Sequence, residues 1–204
     1  ELVEIFRDEQ LEFMPGTGYQ YSNSNYLLLG AVIEQVSGSR YDNFLQNAIL
    51  APLGIEDTGM DYADQVLSDR AAGYQIQGRA LVNAPYLDMS NAYATAGMYS
   101  TVGDLYTFDQ ALQAGQLVSP EIQELMYTPR QAADQAGNGY GLGWQVSKSG
   151  NHRRVGHAGG INGFRVFFGR YLEDGATIIL LSNIGTEELD PIIERLEQIL
   201  FNGE

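Results

Sequence analysis

The spacing of apolar residues changes character about two-thirds of the way along the chain. Leu28, Ala31, Val32 and Val36 recur on one helical face, which predicts a helix over residues 24–36 with Gly38 as its stop. A second helical stretch covers Tyr41 to Leu50 and should end before Pro52. Leu105, Phe108 and Leu112 form another stripe. It opens on Thr101-Val102-Gly103-Asp104, where a hydroxyl and a carboxylate can satisfy the free amides of a helix start. Ser119-Pro120-Glu121 begins a further helix, with proline where its missing N–H costs nothing. Residues 1–14 read as a short helix or strap, and Pro15-Gly16-Thr17-Gly18 as a turn. Residues 56–99 are rich in glycine and tyrosine, and their weak periodicity predicts a long irregular excursion.

From about residue 140 the pattern alternates. Strands are expected over 143–146, 153–157, 164–169 and 176–181, with Glu173-Asp174-Gly175 as a hairpin turn. Asp190-Pro191 opens a terminal helix that should bury Ile192, Ile193, Leu196, Ile199 and Leu200. Helices first and antiparallel strands last make an α+β chain. Residues 1–139 form its helical region, and residues 140–204 its strands and C-terminal helix.

Composition removes several classes of function. The 204 residues carry 26 acidic and 11 basic side chains, a net charge of −15, which repels phosphate backbones and argues against nucleic acid. No apolar run approaches the ~20 residues that span a bilayer. Cysteine is absent and there are two histidines, which argues against zinc, although carboxylates leave calcium open. No G-x-S-x-G elbow or phosphate-binding loop occurs. The chain starts at Glu1 rather than Met, which fits a mature or cleaved N terminus and an exported origin.

Two segments carry chemistry. One is Pro15-Gly16-Thr17-Gly18-Tyr19-Gln20-Tyr21-Ser22-Asn23, running into the first helix. The other is Gly156-His157-Ala158-Gly159-Gly160-Ile161-Asn162-Gly163-Phe164, at the end of a predicted strand. Together they resemble the serine β-lactamase and penicillin-binding-protein-like superfamily, in its class C β-lactamase, D-peptidase and esterase branch. Tyr21-Ser22-Asn23 matches that family's Tyr-x-Asn motif and His157-Ala158-Gly159 its Lys/His-x-Gly motif. Tyr41, Pro52-Leu53-Gly54 and Tyr140-Gly141-Leu142-Gly143-Trp144 share its texture, so the resemblance runs from about Phe13 onward. The family's first motif, Ser-x-x-Lys, is not in these residues: the one lysine is Lys148, and Gln145 stands three positions before it.

The resemblance implies a β-lactamase/transpeptidase-like fold whose N-terminal part, with the serine, is absent, so the chain would be roughly its C-terminal two-thirds. It implies acyl-enzyme hydrolysis of an ester, a D-amino-acid peptide or a β-lactam, with no cofactor. Tyr21 would relay protons, which requires a neighbouring cation to lower a phenol whose ordinary pKa is near ~10. Asn23 would hold the substrate amide. His157 would bound the acyl site together with Gly159, and Gly160 would offer an oxyanion-binding N–H. A histidine in place of lysine is mostly neutral at pH 7, which favours esters and small amides over carboxylate-anchored β-lactams. Without the serine the chain alone is expected to be inactive. A serine-less binding or interaction module is the alternative. The partner of the open sheet edge, near Val166, Phe168 and Ile178, would be the missing N-terminal segment or a second copy. The resemblance favours a periplasmic or secreted protein. His152, between Asn151 and two arginines, reads as a solvated turn residue.

Overall fold

The computed structural model describes residues 2–130 and 138–203. A 3₁₀ turn at Leu2–Ile5 precedes α1 (Asn23–Ser37), α2 (Tyr41–Leu45), a π turn at Gln46–Leu50 and α3 (Ala51–Leu53). Then come β1 (Gly59–Met60), β2 (Tyr74–Gln77), β3 (Ala80–Asn83), α4 (Tyr93–Ala96), β4 (Met98–Tyr99), α5 (Val102–Gln113) and α6 (Pro120–Tyr127). The last part holds β5 (Gly139–Tyr140), β6 (Gln145–Ser149), β7 (His152–Ile161), β8 (Phe164–Tyr171), β9 (Ala176–Ser182) and α7 (Asp190–Asn202). The α+β class and the order of helices, antiparallel strands and terminal helix are as expected. The chain divides into two compact units, Glu1–Leu67 with Leu87–Asp104, and Ser68–Tyr86 with Leu105–Glu204.

In the first unit, α1 starts where the Ser22 hydroxyl accepts from the Ser24 N–H at 3.2 Å and stops at Gly38. The second helix does not end before Pro52. Its backbone widens into the π turn, where the Ala51 N–H reaches back to the Gln46 carbonyl, and the wider turn carries the proline through. The start of α5 is half of the expected capping arrangement. The Thr101 hydroxyl accepts from the Asp104 N–H at 3.1 Å. The Asp104 carboxylate turns away instead, accepting from the Asp57 N–H and the Thr58 hydroxyl at 2.8 Å each.

The second unit is a five-stranded antiparallel sheet in the order β5-β6-β7-β8-β9. Side chains alternate along β8. Phe167 and Tyr171 face α7 and form a core with Ile178 and Ile193. Val155 of β7 and Val146 of β6 face the other way and pack with Tyr127 of α6. Ile178 is therefore buried under α7, not exposed at an edge. The terminal helix buries Ile193 and packs Leu189, Leu196 and Phe201 against the sheet. Ile192, Ile199 and Leu200 lie on its outer flank and are exposed. Glu197 occupies the inner seam because it is bonded there: it accepts from Tyr171 Oη at 2.5 Å, Ser149 Oγ at 2.8 Å and Arg154 Nη1 at 2.7 Å.

The 56–99 excursion is more regular than its composition suggests. β2 and β3 form a hairpin across Gly78-Arg79. It is tied to the end of the sheet by the Tyr74 N–H to the Asn183 carbonyl and the Gly185 N–H to the Tyr74 carbonyl, at 2.9 and 2.8 Å. β7 also runs farther than expected, to Ile161, and turns into β8 over Asn162-Gly163. Gly163 has φ +82°, and a Cβ there would come within 2.7 Å of the Gly73 Cα, so both its conformation and its surroundings require glycine.

Candidate active site

The five candidate residues fall in both units: Tyr21 and Asn23 in the first, His157, Gly159 and Gly160 in the second. In the first unit, the Met14 carbonyl accepts from the Thr17 N–H at 3.0 Å and from its hydroxyl at 2.7 Å, which pins the turn ahead of the motif. The chain then reaches α1 with Ser22 as its N-cap. Because serine does the capping, Asn23 is the first helical residue and is exposed. Tyr21 is 43% exposed and leans on Tyr26, with ring centroids 5.9 Å apart. Partial burial, and then the neighbouring Tyr26 and Tyr19, push the Tyr21 phenol above its ordinary value. That direction is opposite to what a proton relay needs.

In the second unit, His157 does not end its strand. It sits in the middle of β7 opposite Phe168, because the glycines after it continue the ladder as Gly159↔Val166 and Gly160↔Arg165. Glycine weakens a strand prediction, and the Asn-Gly pair that closes the hairpin is the signal that locates the true end. The β6–β7 ladder stops at Gln145↔Gly156, whereas the β7–β8 ladder runs to Ile161↔Phe164. Among the described residues, β7 is thus paired within the sheet on one side only from His157 to Ile161.

His157 Nδ1 lies 2.6 Å from the Ala158 carbonyl oxygen and Nε2 lies 3.0 Å from the Tyr140 hydroxyl. The Tyr140 and His157 rings meet edge to face at 5.8 Å. Trp144 contacts Tyr127 and Phe168, with centroids 5.4 and 5.8 Å apart, on the same side of the sheet as His157. At Gly160 an added Cβ would stand 2.0 Å from Arg165 Nη1, the movable end of a long side chain. At Gly159 the nearest atom to an added Cβ is a Val166 methyl at 3.1 Å, a tight but softer contact.

Other polar groups are engaged elsewhere. His152 is not a solvated turn residue: it is bonded to the Asp174 carboxylate at 2.8 Å and stacked on Phe201 at 3.8 Å. Asp109 and Arg170, 1% and 5% exposed, border a cavity of about 250 Å³, but their charges are spent on each other at 2.5 Å. Arg170 also donates to the Tyr127 hydroxyl, and Thr177 donates to Asp109 at 3.0 Å. Among the described residues, no group of three His, Cys, Asp or Glu side chains is placed to hold a metal ion. No described helix is long and apolar enough to cross a membrane.

Penicillin-binding protein 4* of Bacillus subtilis (strain 168) is 30% identical over 98% of this chain and 48% of the relative. The chain thus spans about half the length of the curated relatives it matches. A D-stereospecific amidohydrolase from Streptomyces sp. superposes with a TM-score of 0.81 at 28% identity, covering 95% of this chain and 57% of that one. The octameric penicillin-binding protein homologue from Pyrococcus abyssi gives 0.86 at 27% identity, over 98% and 47% of the two chains. Residues 1–200 match the Beta-lactamase family over nearly the whole length, and the chain belongs to that family.

Proposed function

We propose that this chain carries the proton-relay and acyl-binding residues of a serine hydrolase, which cleaves an ester or an amide of a D-amino acid through an acyl-enzyme. The observation that carries the reading is the match to the Beta-lactamase family over residues 1–200, with Tyr-x-Asn at the start of α1 and His-x-Gly on the open edge of β7. The nucleophile would be a Ser-x-x-Lys serine, a motif these 204 residues do not contain. Its lysine would supply the cation that Tyr21 needs, counteracting the burial that raises the phenol. Asn23, exposed at the first position of α1, orients the substrate amide. His157 and Gly159 bound the acyl site, and the Gly160 N–H binds the oxyanion.

The amidohydrolase relative, D-stereospecific by name, supports a D-amino-acid substrate. The histidine at the family's lysine position, which lacks a fixed charge for a carboxylate, favours an ester or a small amide over a carboxylate-anchored β-lactam. The test uses the gene product that includes the Ser-x-x-Lys segment. Tyr21→Phe should lower kcat/KM for a D-amino-acid amide by ~10²–10⁴-fold, the usual worth of general acid–base catalysis, with little change in KM. Activity retained to within a fewfold would remove Tyr21 from the mechanism.

A second reading is a serine-less binding module of the same fold. Coding sequence upstream of Glu1 decides between the two, since an in-frame Ser-x-x-Lys is required by the first alone. We further propose that the outer edge of β9 pairs with an N-terminal segment or a second copy. A 204-residue chain that sediments as a stable, cooperatively melting monomer would contradict that pairing.

A further inference from the structure

The contacts of His157 constrain where a ring hydrogen lies. A carbonyl oxygen only accepts, so the 2.6 Å contact from Nδ1 to the Ala158 oxygen requires a hydrogen on Nδ1. A neutral imidazole carries one ring hydrogen, so Nε2 is then a bare acceptor. The group beside it is the Tyr140 hydroxyl at 3.0 Å, which can donate. Tyr140 reaches this position because β5 pairs with β6, with Tyr140↔Gln145 in register, and Gln145 pairs in turn with Gly156, the residue before His157. The edge-to-face ring contact adds a second restraint.

We propose that Tyr140 is the positioning residue of this site: its hydroxyl donates to His157 Nε2 and holds the ring as the neutral Nδ1–H tautomer, turned back onto its own strand. Both ring nitrogens are occupied, so His157 is not a free general base. The catalytic meaning of this arrangement rests on the hydrolase reading, but the tautomer itself does not.

The chain has two histidines, so a direct spectrum is readable. The full chain is labelled with ¹⁵N in its imidazole rings, and ring C–H protons are correlated with ring nitrogens at a pH where histidine is neutral. His157→Gln assigns the signals. The expected pattern for His157 is a protonated Nδ1 and an unprotonated, hydrogen-bonded Nε2. In Tyr140→Phe the Nε2 resonance should shift toward that of a free acceptor, or a mixture of tautomers should appear. The His152 signals, fixed by Asp174 and Phe201, should stay in place and report an intact fold. A hydrogen on Nε2 in the unsubstituted chain overturns the proposal. So does Tyr140→Phe with unmoved signals from both histidines. Should Tyr140→Phe unfold the chain, moving His152 as well, the unsubstituted spectrum decides alone: a bare Nδ1 refutes the proposal, and a protonated Nδ1 with a bonded Nε2 supports it. Failure of the serine to acylate would sink the hydrolase reading and leave these spectra unchanged.

Discussion

Gly160 and Arg165 oppose each other across β7 and β8, and the guanidinium fills the space a side chain at 160 would need. The obstruction is the far end of a flexible side chain, so Gly160→Ala should displace Arg165 rather than break the strand. We expect a loss of about 1 kcal/mol, and a smaller loss when Arg165→Ala is present as well, read from denaturant midpoints in a double-mutant cycle. Equal losses in both backgrounds would mean that the guanidinium is not the obstruction. Asp109 and Arg170 behave differently because both are buried. Asp109→Ala leaves a buried guanidinium uncompensated and should cost about 3–5 kcal/mol. The paired change Asp109→Leu with Arg170→Met should cost less than Asp109→Ala alone, measured the same way.

At the scale of elements, α7 is held by a carboxylate in its apolar seam. Burial alone would raise the pKa of Glu197. Hydrogen bonds from Tyr171 and Ser149 and the charge of Arg154 outweigh it and hold Glu197 below the ordinary carboxylate range. A lowered folded pKa stabilises the fold above the unfolded value of ~4.3, and that contribution is lost as pH falls through the folded value. The stability gap between the unsubstituted chain and Glu197→Gln should therefore be present at neutral pH and close below about pH 4, as followed by circular dichroism. A gap that widens in acid would reverse the sign of the argument. This seam also shows where sequence reading stops. Periodicity located α7, but not which of its two apolar stripes is inner, because that depends on Arg154 and Tyr171 arriving from distant strands. The cap at Ser119 was legible, since capping is local. The β2–β3 hairpin was overlooked despite the glycine in its turn, because its strands alternate weakly. Of the candidate site, Tyr21, Asn23, His157, Gly159 and Gly160 could be named from the resemblance of two motifs to a known family. Tyr140 could not, because nothing local in the sequence ties it to a residue 17 positions away.

Over the whole molecule the dominant feature is a net charge of −15. Like charges at that density oppose compaction and are screened within ~8 Å at physiological ionic strength. The melting temperature should accordingly rise with sodium chloride, and a fall would show that ion pairs such as Arg154–Glu197 outweigh the general repulsion. The central claim is that these residues are the relay and acyl-binding part of a serine hydrolase whose nucleophile lies outside them. Intact-mass analysis after incubation with a fluorophosphonate tests it most directly, on the 204-residue chain and on a product that includes the preceding coding sequence. The account predicts no adduct on the 204 residues, and one adduct in the longer product, mapped to the serine of a Ser-x-x-Lys. An adduct on any serine within these residues, or a Ser-x-x-Lys product that stays unlabelled, would contradict it.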